Sequence, residues 1–455
     1  MRVLKSQWLR RGLLAGIGLL LAILLYGLLQ LIEPVRIASV SPNATVDFTG
    51  RSLLVASDAD MVATAYGDAK LDRVAGIEDT LTVIDLPLDT EQPAIASIPV
   101  SNSVMSWPQI IAVSPDNQRA YVVEVRSRPE DGINEFDDID QMPAGRQLSV
   151  IDISQGSQPR LIESVDVGRN PEHISISPNG EFLAINLSEP GRELLIVALQ
   201  ADGRLGERSY LSVGENQEDN QTVIWHPSGR YLAIVQDNNR RVGFYQIETA
   251  EGDISIELLS EPLEVGNYLS HPRFTRDGRF LLVPDLKWRT RNNDTLNFLL
   301  NPPGELIAIQ FEPETGNLPG VVSRIEVGLS PEGFALSPDN SLIAAVNMRR
   351  TYLPSFLPAW RGKGYSSVSL VQLDPLTGQL TELEEYGFEG LLPEQATFDA
   401  TGESLAVVIF NDREPRPETG AIEFWRVSEG ESPSLERTGY KLEVVRGAHD
   451  IVLVP

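Results

Sequence analysis

The sequence predicts an all-β chain, a seven-bladed β-propeller preceded by a single N-terminal transmembrane helix, and three observations predict it. An uncharged apolar run lies near the start, a turn-and-strand motif returns seven times after it, and 36 Gly and 31 Pro are scattered through 455 residues. Frequent turns between short strands are what an all-β architecture needs.

Taken in chain order, the apolar run comes first. Residues 12–32, "GLLAGIGLLLAILLYGLLQLI", hold 21 residues without a charge. As a helix at ~1.5 Å per residue they extend roughly 31 Å, the thickness of a hydrocarbon core. Arg2, Lys5, Arg10 and Arg11 precede the run, while Glu33 and Arg36 closely follow. The positive-inside rule then keeps residues 1–11 in the cytoplasm and carries residues 36–455 out of it, to the periplasm or the cell surface. The run is longer than the apolar part of a cleaved leader and has no small-x-small site after it, so an uncleaved signal anchor is expected.

The repeat follows. Its copies are "FTGRSLLVAS", "SPDNQRAYVV", "SPNGEFLAIN", "HPSGRYLAIV", "TRDGRFLLVP", "SPDNSLIAAV" and "DATGESLAVV". Each turn places Pro where φ is already near its fixed value, or Asn or Gly where φ turns positive. A second strand comes next, as in "QLSVIDI" or "ELIAIQF", and then a third that often ends in Val-Gly, as in "SVDVG" and "IEVG". Seven units of about four strands, recurring at roughly 60 residues, make a seven-bladed ring whose blades bury their faces on one another. At the end, "AHDIVLVP" (448–455) reads as an inner strand with no blade after it, which should pair with blade 1 and close the ring. "ATVDFTG" (44–50) also reads as an inner strand, so two segments compete for one place in blade 1.

Four segments stand out, "FEPETGNL", "LDPLTGQL", "NPEHISISPNG" and "DGRFLLVPDLK". With them the chain resembles the lactonase-like, or YVTN-type, seven-bladed propellers, a family that includes 6-phosphogluconolactonases and carboxymuconate cyclases. The resemblance implies His and Arg on inner strands as active groups.

Composition narrows the partners. With 64 acidic and 37 basic residues the net charge is −27, which repels nucleic acid over most of the surface. The absence of Cys excludes disulfides, thiolate zinc sites and Cys nucleophiles, and the four His share no short metal-binding spacing. "EDGINEFDDID" (130–140) lacks the spacing of an EF-hand. No metal and no cofactor is expected.

Two candidate sites remain. The entrances of the inner strands carry Glu172 and His173, Glu218 and Asp219, His271 and Arg273, Glu332, Glu394, and His449 and Asp450, all expected around one channel mouth. A lactonase needs a base for water and a cation for the oxyanion, and His173 or His271 with Arg273 supplies them. Glu172, Glu332 and Glu394 line the mouth. The inserts of blades 5 and 6 hold Lys287, Trp288, Arg289 and Arg291, then Arg349, Arg350, Trp360, Arg361 and Lys363. Arg beside aromatic residues is the composition of binding hot spots. The expected function is therefore a membrane-anchored binding or scaffold module for a protein partner or an anionic small molecule. The alternative is a lactonase-like hydrolase of a small cyclic ester.

Overall fold

The computed structural model describes residues 16–25 and 35–455, apart from 104, 106–107, 214–221, 251–252, 289–300, 354–364, 413–417 and 429–431. Among the described residues the strands form seven antiparallel sheets that follow one another in chain order. Blade 1 is Ala448–Val454, Ser52–Ser57, Thr80–Asp85 and Ile95–Pro99, from the inside out. The inner strands of blades 2 to 7 are Ile111–Val113, Pro171–Ile176, Thr222–Trp225, Arg273–Phe274, Pro331–Leu336 and Ala396–Phe398. The seven-bladed expectation holds.

The recurring turn explains why the repeat folds. In blade 6, the Ser337 hydroxyl accepts from Leu342 N (2.9 Å) and lies 2.6 Å from Asp339 Oδ1, while Asn340 takes φ 64°. In blade 3, Ser177 and Asn179 make the same pair (2.7 Å) and Gly180 takes the positive φ of 72°. A short polar side chain thus ties the turn, and the following strand enters in fixed register. His226 stands in for the Ser in blade 4, where its Nδ1 accepts from Ser228 N (3.1 Å) and its Nε2 meets Gly278 O (3.0 Å).

Apolar residues alternate out of the turn into the seams between blades. Ala184, Leu194 and Ile196 of blade 3 pack on Val223, Leu232 and Ile234 of blade 4, all fully buried. Each large side chain so placed contributes about 1.5–3 kcal/mol.

The closing strand is the C-terminal one. Ser52 pairs with Val454, Leu54 with Val452 and Val55 with Ile451. Residues 44–50 do not form an inner strand. Phe48 packs edge-on against Phe424 of blade 7 at 5.5 Å, and Thr49 donates from N and Oγ1 to Asp399 (3.2 and 2.5 Å). Upstream, Ile37 bridges Gly387 and Val40 bridges Arg437, so the chain runs along the outer strands of blades 6 and 7 before it enters blade 1.

The described stretch 16–25 is helical with its apolar side chains exposed. No helix among the described residues is long and apolar enough to cross a membrane. The expected span 12–32 lies partly outside the described residues.

Candidate functional site

The first residues of the inner strands meet one another across the centre of the ring. Blades 1, 3 and 6 share a local irregularity there: the register shifts opposite Ala56/Ser57, between Pro171 and His173, and between Pro331 and Phe334. His449, Glu172, and Glu332 with Gly333 occupy the extra places. A β-bulge of this kind re-aims a side chain without ending the strand.

The residue after the bulge reaches across to other blades. The Asp450 Oδ2 accepts from Ile110 N (2.8 Å) and Ile111 N (3.0 Å) of blade 2. His173 Nδ1 accepts from Val223 N of blade 4 (3.4 Å). Gln395 of blade 7 donates from Nε2 to Pro108 O of blade 2 (2.9 Å) and lies 3.2 Å from His271 Nε2 of blade 5. The His173 and His271 rings stand 6.4 Å apart, and Phe334 stacks on His271 at 5.7 Å. His173, His271, Gln395, His449 and Asp450 are all fully buried, while Arg273 is half-buried.

These contacts assign the imidazole tautomers. A backbone N–H only donates, so His173 Nδ1 is an acceptor and the proton sits on Nε2. The Gln395 amide is oriented by Ala396 N, which donates to its Oε1 (3.0 Å); its Nε2 therefore donates to His271 Nε2, and the His271 proton sits on Nδ1. His449 Nδ1 lies 2.7 Å from Gly447 O, a pure acceptor, which leaves a lone pair on Nε2. Among the described residues, His173 Nε2, His271 Nδ1, His449 Nε2, Arg273 Nε, Asp450 Oδ1 and Glu394 Oε2 are buried without a partner. Buried polar atoms are normally satisfied, so a concentration of unsatisfied donors and acceptors marks a place for a polar ligand or water.

Charge states follow from burial. Desolvation, helped by Arg273, pulls His173 down to about 3; the same two causes and His173 itself hold His271 well below its usual range. Burial takes His449 to about 4. All three rings are neutral near pH 7. Burial raises the Asp450 carboxyl, against the Ile111 N–H and the Arg273 charge. Burial likewise pushes Glu332 and Glu394 well above the carboxylate range, and Glu332, Asp58 and Asp450 push Glu394 further. His173 and His271 were expected as water-activating bases, but their far nitrogens carry protons. They are donors.

Of the other expected residues, Glu172 accepts from Ser188 Oγ (2.5 Å). Glu218 and Asp219 lie outside the described residues, as do Arg289, Arg291, Trp360, Arg361 and Lys363 of the inserts. Lys287 pairs with Glu305 (2.5 Å) and Arg349 with Glu385 (3.3 Å), Trp288 Nε1 donates to Ser330 Oγ (3.1 Å), and Arg350 is buried. Each of these four is engaged within the fold.

Gln395 and a buried carboxylate trio were not anticipated. Asp58, Asp60 and Asp79 bring oxygens within 4.8 Å of one another, and Ser103 Oγ lies 3.0–3.3 Å from all three. Arg73 stands 3.8 Å from Asp60, and the fully buried Arg446 donates to Ala59 O (2.7 Å) and feels Asp58 and Asp60. Burial, then Asp60, raises Asp79 to about 7. The trio has a cation-binding donor set, but its charge is offset by Arg side chains. Gln395 occupies the repeat position of His173, so aligning the repeats finds it; the trio sits at the two ends of the one connection 58–79 between Ser52–Ser57 and Thr80–Asp85 and carries no spacing signal.

No protein-family model matches the chain, and no curated protein matches it. Solved structures do. A propeller from Bacteroides uniformis, provisionally named a 6-phosphogluconolactonase, superposes with a TM-score of 0.59 at 15% identity, over 89% of this chain and 99% of the other. The periplasmic gluconolactonase of Pseudomonas aeruginosa gives 0.56 at 17%, over 90% and 100%. A functionally unknown protein from Desulfotomaculum acetoxidans gives 0.58 at 12%, over 89% and 98%. Identities this low establish the shared seven-bladed fold. The expected reading as a pure binding or scaffold module is corrected by these neighbours: three of the similar structures carry lactonase names, which favours the alternative expected from the sequence.

Proposed function

We propose that the chain is a lactonase-like hydrolase of a small cyclic ester and that the chemistry occurs in the channel between His173, His271, Arg273 and Asp450. The observation that carries the reading is the set of N–H groups on the first three that have no partner among the described residues, electrostatically linked to a carboxylate whose second oxygen likewise has none among them. Water adds to the lactone carbonyl as its proton passes to Asp450 Oδ1. The carbonyl oxygen becomes an oxyanion and takes hydrogen bonds from His173 Nε2, His271 Nδ1 and Arg273 Nε. The ring C–O bond then breaks, and Asp450 returns the proton to the leaving alkoxide, giving the open hydroxy acid. Two backbone N–H bonds on Oδ2 hold Asp450 in place, and its raised pKa moves it toward the range where a base works at neutral pH.

A lactone panel assayed by acid release tests this. Removing one oxyanion donor typically costs about 10²–10³ in kcat, so Arg273→Met and Asp450→Asn should each lower turnover by at least that much. Folded parent protein that is inactive on every lactone would overturn the reading.

The same reading places the ring outside the cytoplasm behind residues 12–32 as a span. What supports it is the uncharged run with its basic flank, and one similar structure is a periplasmic enzyme. N-terminal sequencing of membrane-extracted protein should find these residues retained; a start beyond residue 36 refutes the anchor.

A further inference from the structure

We infer that Gln395 is a positioning residue of the site: its side-chain amide, whose N–H groups are both spent inside the fold, decides which nitrogen of His271 is left to donate to the oxyanion. The consequence for turnover rests on the hydrolase reading; the placement of the proton does not. Gln395 is fully buried. Its Nε2 lies 2.9 Å from Pro108 O of blade 2 and 3.2 Å from His271 Nε2 of blade 5, and its Oε1 accepts from Ala396 N at 3.0 Å. Two of these partners can play only one part. A carbonyl oxygen only accepts and a backbone N–H only donates, so a flipped amide would set oxygen against Pro108 O and hydrogen against Ala396 N. The orientation is fixed twice over. One N–H goes to Pro108, the other goes to His271, and no amide hydrogen is left for a substrate.

The repeat makes room for this crossing. Four residues before Ser177, Thr275, Ser337 and Asp399, the first residues of the turns in blades 3, 5, 6 and 7, stand His173, His271, Gly333 and Gln395. The glycine belongs to blade 6, between the blades of His271 and Gln395. A Cβ there would lie 2.9 Å from Gln395 Oε1 and 2.1 Å from Glu394 O, so a side chain at 333 displaces the amide that reaches past it. The imidazole is held from a second side by Phe334, whose ring stacks on it at 5.7 Å with 11° between the planes. Stacking fixes the plane of the ring but not its proton, because both tautomers stack alike. The Gln395 N–H fixes the proton. It needs a lone pair on Nε2, which puts the hydrogen on Nδ1, the nitrogen with no partner among the described residues. Without that N–H, Nε2 faces no donor and the proton is shared between the two nitrogens. The stake is large: in a serine-protease triad a His held in the wrong tautomer costs about 10⁴ in kcat.

Nitrogen-15 NMR of the intact protein, labelled at its four His, tests this near neutral pH, with the His271 signals assigned by their loss in His271→Gln. In the parent, His271 should show a protonated Nδ1 and an unprotonated Nε2; a protonated Nε2 overturns the inference. Gln395→Met keeps the length of the side chain and removes both donors. A protonated Nε2 should then appear, and kcat on the best lactone should fall by about 10-fold or more with KM within about 2-fold, because the amide does not touch substrate. A folded variant with the parental tautomer, or one with the altered tautomer and the parental kcat, overturns the inference. Should Gln395→Met not fold, Gly333→Ala, which keeps Gln395 in the chain but displaces it, must show the same protonation of Nε2. A parent that gives the expected spectrum and hydrolyses no lactone refutes the hydrolase alone, and Gln395 still sets the His271 proton.

Discussion

Gly333→Ala is a demanding test of how tightly the ring is built. Gly333 does not have a positive φ, so an Ala there meets no intrinsic backbone strain. It meets neighbours instead. The new Cβ would lie 2.1 Å from Glu394 O, 2.9 Å from Gln395 Oε1 and 3.1 Å from Glu394 C. Contacts under about 3 Å to backbone cannot be relieved by a rotamer change, so blades 6 and 7 must separate by roughly an ångström. Overpacking of this kind costs about 1–3 kcal/mol, and a seam that moves as a unit puts the value at the upper end. With about 2.1 cal/mol/K per residue over the ~420 residues of the ring, ~3 kcal/mol lowers the melting temperature by roughly 3 °C. Differential scanning calorimetry resolves such a shift. Gly320→Ala is the control, because its Cβ has nothing within 4 Å. The displaced Gln395 also loosens its hold on His271, so lactone turnover should fall with stability. If Gly333→Ala melts with Gly320→Ala, the seam is not closed as described.

Deleting residues 446–455 should leave Ser52–Ser57 as an open edge and strip Ile451 and Val454 from the core, at about 1.5–3 kcal/mol each; size-exclusion chromatography should find aggregate, and a monomer with parental melting refutes closure by this strand. Glu394 has a folded pKa raised above its unfolded value, so its contribution is present at low pH and lost as pH rises through the folded pKa. Glu394→Gln should therefore gain stability over the parent as pH rises from 5 to 8, and a constant difference in melting temperature refutes the burial argument. Lys287→Ala breaks the pair with Glu305, whose side chains are 21% and 23% exposed, and should cost about 1 kcal/mol with no effect on turnover; a large loss of either places Lys287 in the site.

The blades were legible because each is announced by a local device. The Ser337–Asp339–Asn340 turn is readable in four letters, and its hydrogen bonds span five residues or fewer. The competition for blade 1 was not, since "ATVDF" and "HDIVL" both alternate. It is decided by Phe48 finding Phe424 and by Ile451 finding Val55. The candidate site was legible as a set of positions but not as chemistry. His173 and His271 were foreseen; which nitrogen carries the proton depends on Val223 and Gln395, and Gln395 is 124 positions from His271. The free oxygen of Asp450 follows from contacts 339 and 340 positions away. Long separations carry no pattern in a single sequence.

The strand that completes blade 1 is also the one that brings Asp450 into the channel. During synthesis the first sheet waits, one strand short, while six others are made, and its missing member follows all of them in the chain. A chain halted before residue 448 therefore has neither a sealed ring nor Asp450, the carboxylate proposed above as the base. On the proposed mechanism assembly and competence arrive in the same event, and the unpaired edge of a partly made copy is the kind of surface that quality-control proteases and chaperones engage.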